Sequence, residues 1–123
     1  REPVLIKAAR VLQMFHLAHL DGRSVSEREI QLNVALSQSE HDRIFAVFHR
    51  HRLLNQTDDE RWILGRSLKS ITLWDLYQEL PDGLDRKRLD EIKDLPQVVA
   101  PLIAITQFGS NEMSKSMELV FTT

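Results

Sequence analysis

Residues 60–81, ERWILGRSLKSITLWDLYQELP, restrict the fold more than any other stretch. An acidic turn, Asp58-Asp59-Glu60, leads into a short apolar run, Trp62-Ile63-Leu64. Gly65-Arg66-Ser67-Leu68 then carries the chain into a helix that Thr72 and Asp75 cap and Pro81 ends. Residues 53–57 and 61–64 read as two strands around the acidic turn. Helices precede this unit. Pro3 opens the first, where a missing N–H costs little. Val4, Leu5, Ala8, Val11, Leu12 and Phe15 mark one apolar face. The next step of that stripe falls on Ala18 and His19, so the face weakens before Gly22 stops the helix.

Ser26 with Glu29 is a capping box for a short second helix through Val34. Ser37 with Glu40 repeats it for a third helix over 38–52, with Ile44, Phe45, Val47 and Phe48 as its buried face. Helix, helix, helix, hairpin, helix is the order of a winged helix-turn-helix, with the hairpin as a two-stranded wing. The expected fold class is therefore α+β, mostly α. A winged-helix domain occupies 1–81 and a C-terminal helical extension occupies 82–123.

The boundary is Pro81-Asp82-Gly83. Beyond it, a helix is expected over 85–94 and another over 98–115, with Pro101 near its first turn and Gly109 weakening its middle. Residues 116–121 form a last apolar turn. Leu102, Ile105, Met113, Leu119, Val120 and Phe121 carry too much apolar surface to stay solvated. They are expected to pack on the first helix or on another subunit, which leaves a homodimer open. Trp74 is expected to be largely buried and Trp62 partly so.

Composition narrows the function. The chain has 123 residues, 42% hydrophobic and 28% charged, in the range of a globular domain. It has no cysteine, which excludes a disulfide framework and a thiolate metal site. A net charge of −2 gives no general attraction to nucleic acid or an anionic membrane. No apolar run is long enough to cross a bilayer, and no signal peptide is visible. The first residue is Arg1, not Met, so the chain reads as a fragment or a processed product.

Residues 61–68, RWILGRSL, followed by 71–77, ITLWDLY, resemble the cytoplasmic C-terminal domain of proteobacterial YihY/BrkB proteins. These are integral membrane proteins historically labelled ribonuclease BN-like. The family pattern is W-x-L-A-R-D-L and then T-L-x-[DE]-L-Y; here Gly65 and Ser67 stand in place of Ala and Asp. Leu95-Pro96, Ala100-Pro101-Leu102 and Met117-Glu118-Leu119-Val120-Phe121 are similar to the family's L-P…P-L helix and closing P-L-x-E-L-F, which Met117 interrupts. The likeness covers most of the chain. It implies an inner-membrane parent protein with several spanning helices upstream. This chain would then be a regulatory or protein-interaction domain on the cytoplasmic face, partnered by the transmembrane part of the same protein. The alternative is a DNA-binding winged-helix regulator of the IscR-like type, which carries L-A-R…I-T-L-x-D-I. Such regulators place cluster-binding cysteines after that segment, and this chain has none.

A DNA-reading role would fall to Gln38, Ser39, His41 and Arg43 at the start of the third helix. Arg50 and Arg52 would be the contacts to phosphates or lipid headgroups. Charge opposes the DNA reading. Glu40 and Asp42 share the leading turn, and the wing tip carries three carboxylates. Residues 1–80 hold eleven Lys/Arg against eleven Asp/Glu, with no basic stripe. No specific nucleic acid is therefore expected. The cations around 43–52 read as complements to the end of the helix dipole. His16 with His19, and His49 with His51, lack a third ligand for a metal site and read as surface or boundary histidines. Trp62, Trp74 and Tyr77 read as packing, and Glu27 with Glu29 as a capping turn. No Ser/His/Asp order, phosphate loop or Gly-rich motif is present. No catalytic residue, cofactor, metal or small-molecule ligand is expected, and the ribonuclease label finds no chemistry here.

Overall fold

The computed structural model describes residues 2–108 and 116–122. The elements in order are α1 (Val4–Leu20), α2 (Glu27–Asn33), α3 (Gln38–Arg50), β1 (Leu54–Gln56), β2 (Trp62–Leu64), a 3₁₀ turn (Leu68–Ser70), α4 (Leu73–Glu79), α5 (Arg86–Asp90), α6 (Pro96–Phe108) and α7 (Met117–Thr122). The fold is α+β and mostly helical, with a two-stranded antiparallel hairpin and a C-terminal helix, as expected from the sequence.

Helix α1 is the centre of the molecule. Leu5, Ile6, Ala8, Ala9, Val11, Leu12, Phe15, His16 and Ala18 are all buried, far more than one stripe. A helix that is apolar on most sides is buried on most sides. Here α3, β2 and α7 pack around it. His16 is only 7% exposed, not the surface or boundary residue its spacing suggested. The helix ends in a Schellman turn, with Gly22 at φ 67°. The Gly22 N–H donates to His19 O at 3.1 Å and the Arg23 N–H to Ala18 O at 2.8 Å.

Both predicted capping boxes form. The Glu29 N–H donates to Ser26 Oγ at 3.1 Å and the Glu40 N–H to Ser37 Oγ at 3.1 Å, with each glutamate accepting in return. Helix α3 stops at Arg50, two residues early. The cause is Arg52, which adopts φ 56° and makes the same Schellman pair as Gly22. The Arg52 N–H donates to His49 O at 3.0 Å and the Leu53 N–H to Phe48 O at 2.9 Å.

The hairpin pairs Leu54 with Leu64, Asn55 with Ile63 and Gln56 with Trp62. A third segment joins it. Val25 and Trp62 exchange both backbone hydrogen bonds, at 2.8 and 2.7 Å. This ties the α1–α2 loop to the free edge of β2, a contact the sequence did not announce. Helix α4 carries the expected Thr72–Asp75 box. Trp74 packs against the core without being fully enclosed, and stacks on Tyr77 with ring centroids 5.4 Å apart.

In the C-terminal part, α5 is shorter than predicted, and α6 begins at Pro96 with Pro101 in its second turn. Gly109, Met113 and the rest of the helix expected to Lys115 lie outside the described residues. Helix α7 lies against the 3₁₀ turn, α1 and α6. Backbone pins it there: the Met117 N–H donates to Ile71 O at 2.7 Å, and Thr72 pairs with Ser116. Leu102, Met117 and Val120 are buried, and Ile105 and Phe121 are half-buried. Leu119 is 46% exposed, against expectation. Leu89, Ile92, Leu95 and Val98 belong to the same buried cluster as α1. Arg10 binds both Glu2 and Asp94, holding the start of α1 to the segment before α6.

Met117→Ala should lower stability by about 2–5 kcal/mol in urea unfolding, because it empties a fully enclosed site. Trp74→Ala, at a half-buried position, should cost less than the roughly 3–5 kcal/mol of a fully buried aromatic. A loss below about 1 kcal/mol for Met117→Ala would show that α7 is not part of the core.

Candidate functional surface

The residues picked out for a binding role lie on α3 or, for Arg52, just beyond its end, and the fold has paired most of them with acids. Gln38 Nε2 donates to Asp42 Oδ1 one turn on, at 2.9 Å. Ser39 is exposed. His41 turns away from the leading edge: its ring stacks on Phe45 at 4.2 Å between centroids, and Nε2 meets Glu27 Oε2 at 3.0 Å. A carboxylate only accepts, so this imidazole nitrogen carries the proton. Arg43 pairs with Asp82 at 2.8 Å, which fastens α3 to the loop before α5.

Glu27 is the junction of this end. Its Oε1 accepts the indole N–H of Trp62 at 2.8 Å, while Oε2 faces His41. One carboxylate thereby links α2, α3 and the hairpin. Beside it, Arg61 Nε donates to Ser24 Oγ at 2.6 Å and Nη2 to Glu29 Oε1 at 2.9 Å. By sequence, Glu27 and Glu29 are parts of a capping turn. Beyond the local bond between Ser26 and Glu29, their partners come from elements thirty or more residues away, or from α3, and no local pattern could name those.

The basic cluster at the far end of α3 is spent on α4. Arg50 Nη2 lies 2.6 Å from Glu79 Oε1, and His51 Nε2 donates to Glu79 Oε2 at 2.6 Å. The cation that reaches the end of the helix is instead Arg66, whose Nη1 donates to His51 O at 3.2 Å. Arg52 is exposed and has no ion-pair partner among the described residues. His49 is exposed, with its ring 5.9 Å from that of Trp62. Among the described residues no three His, Cys, Asp or Glu side chains converge to hold a metal.

These pairings shift carboxylate ionisation. Burial pushes Glu79 up, but hydrogen bonds from His51 and Arg50 outweigh it and hold the group below the usual range. The Ser26 backbone N–H, aided by Arg61, holds Glu29 low. The Ser37 backbone N–H, aided by Lys7 at 2.9 Å, does the same for Glu40.

Comparison with known proteins gives two distant relatives. No family model and no solved structure matches the chain. It is similar to a UPF0761 membrane protein of Chromohalobacter salexigens, 29% identical over 112 residues, which cover 91% of this chain and 27% of that protein. It is also similar to a UPF0761 membrane protein of Psychrobacter sp. (strain PRwf-1), 29% identical over 92 residues, 72% of this chain and 17% of that protein. The chain is a distant homologue of UPF0761 membrane proteins. It spans about a quarter of the first relative's length and less than a fifth of the second's. No helix among the described residues is long and apolar enough to cross a membrane.

The lowered carboxylates fix the direction of a pH dependence. Glu29, Glu40 and Glu79 bind protons less readily folded than unfolded. Their stabilisation is complete above the unfolded carboxylate value of about 4.3 and is lost as pH falls through the lower folded values. Urea midpoints should therefore be level with respect to these groups above about pH 5 and drop below about pH 4. Glu79→Gln should remove part of that drop. An unchanged acid limb would show that the Glu79 pairing contributes nothing.

Proposed function

We propose that this chain is a winged-helix regulatory or protein-interaction domain of a YihY/BrkB-like integral membrane protein, on the cytoplasmic face of the bacterial inner membrane. It works neither as an enzyme nor as a reader of DNA. In this reading 1–81 form the winged-helix unit and 82–123 the extension that closes its core. The observation that carries it is the carboxylate placed opposite most basic side chains of α3 and its C-cap: Glu27 for His41, Asp82 for Arg43, and Glu79 for Arg50 and His51.

Binding to duplex DNA draws its affinity from phosphate neutralisation and counterion release. A guanidinium already held by a carboxylate gains little from a phosphate, and the abandoned acid then repels the backbone. The hairpin tip, Asp58-Asp59-Glu60, adds three more acidic side chains where a DNA-binding wing would meet the duplex. The IscR-like alternative also needs cluster cysteines that are missing. Relatives described as membrane proteins, each several times longer than the match, support a membrane-spanning partner within the same polypeptide.

Fluorescence anisotropy on random and genomic duplexes tests the DNA arm. At ~0.15 M salt no saturable binding is expected; at ~0.02 M only weak, steeply salt-dependent binding. Arg52→Gln should reduce that residual binding, whereas Arg50→Gln, already neutralised by Glu79, should change it little. A salt-resistant complex with one defined duplex would overturn the proposal. The partner arm is tested by adding this domain in trans to the detergent-solubilised remainder of its parent protein. Co-elution is expected, and its absence would remove the interaction role.

A further inference from the structure

A cleft of about 490 Å³ opens between the C-terminal half of α1, the segment joining β2 to the 3₁₀ turn, and α7. Its size is that of a small-molecule site. The sequence pattern called for no such ligand, because the three walls come from segments about fifty residues apart. Leu20, Leu64 and Leu68 give it apolar surface.

Its polar groups are unusual. His16 lines the cleft and is the one buried polar or charged side chain among the described residues, at 7% exposure. Its ring leans on Phe121 at 5.7 Å, and its nitrogens make no hydrogen bond to the described protein. No side-chain N or O among the described residues is sealed off without a partner, so the imidazole edge meets the cleft. Buried polar groups are held by a partner in nearly all proteins. Here the imidazole nitrogens open on the cleft, where solvent or a ligand can meet them.

The charge in the walls then selects the ligand. Arg66 gives one hydrogen bond to the His51 carbonyl and has no carboxylate counter-ion among the described residues. His19 adds a second imidazole. The cleft's acid, Glu118, is already answered: Ser67 Oγ donates to it at 3.0 Å and Lys69 lies 3.7 Å away. A guanidinium with no carboxylate counter-ion among the described residues and two imidazoles beside apolar walls favour a planar anion with an apolar body, since Arg binds carboxylates through two parallel N–H groups and only one N–H of Arg66 is held, by the His51 carbonyl.

We infer that this cleft binds a compact organic carboxylate, its anionic end toward Arg66 and the imidazoles and its aromatic or branched aliphatic body on Leu20 and Leu64. Because α7 forms one wall, such a ligand joins the C-terminal helix to α1.

Amide-resolved NMR titrations of the 123-residue chain test this. The probes are phenylacetate and isovalerate, each with its neutral amide. Saturable shifts are expected at His19, Gly65, Arg66 and Ser67, with Kd on the order of 1 mM and amides about 10-fold weaker. Arg66→Gln, at an exposed position, should weaken the carboxylates to the level of the amides. His16→Phe, which keeps a ring against Phe121, should also weaken them while the rest of the spectrum stays folded. The inference falls if neither carboxylate gives saturable shifts, if the amides bind equally well, if the shifts centre elsewhere, or if Arg66→Gln binds unchanged.

Discussion

The rest of the structure depends on the burial of α1. A helix with apolar residues on most of its circumference has no stable place at a surface, so other elements must surround it. Ala8 and Ala9 keep its sides narrow, while Leu12 and Phe15 supply volume toward its C-terminal half. Interiors are packed like solids, and a shift in this helix is felt by every neighbour. The polar residues of its first half sit at the rim and carry their own partners: Lys7 reaches Glu40, and Arg10 holds Glu2 and Asp94. Those pairs set how α3 and the segment before α6 lie along the helix. The hydrophobic requirement fixes that α1 is covered, and the rim pairs tie α3 and the segment before α6 along it.

The same economy of charge governs the outer surface. A chain with nearly balanced acids and bases can scatter them in solvent or match them across element boundaries. This one matches many of them, and four matches join α3 to something else: Glu40 to α1 through Lys7, His41 to α2 through Glu27, Arg43 to the loop before α5 through Asp82, and Arg50 to α4 through Glu79. Partly exposed pairs of this kind contribute little stability each. Their larger effect is on what remains available. A helix whose cations are committed within the molecule presents side-chain shape and hydrogen-bonding groups, rather than net positive charge, to whatever approaches it.

Local signals in the sequence were read correctly where the chemistry is local. Ser26, Ser37 and Thr72 each cap a helix through a partner three residues on, and the hairpin follows from strand runs flanking an acidic turn. The misses have one physical cause, which is dependence on a distant partner or on an untypical residue. The Schellman turn after α3 uses Arg52 where glycine is usual, so the stop was invisible in the residue type. The Val25–Trp62 bridge and the enclosure of His16 are decided by how elements pack. The junction at Glu27 was hidden by its position in the first turn of α2, where an acid already has a sufficient local reason to be present. Among the candidate contact residues, what periodicity omitted was the acid standing opposite Gln38, His41, Arg43 and Arg50.

The indole of Trp62 is bonded to Glu27 at the junction of α2, α3 and the hairpin, and the chain's other indole, Trp74 on α4, lies against Tyr77. Emission from an indole follows the polarity and hydrogen bonding around it. The protein thus contains two unlabelled optical reporters in different surroundings, one at the hairpin junction and one on α4. A single-tryptophan pair, with Trp74 or Trp62 replaced by phenylalanine, would separate their signals. Disturbance at the hairpin could then be followed in this chain without attaching any dye.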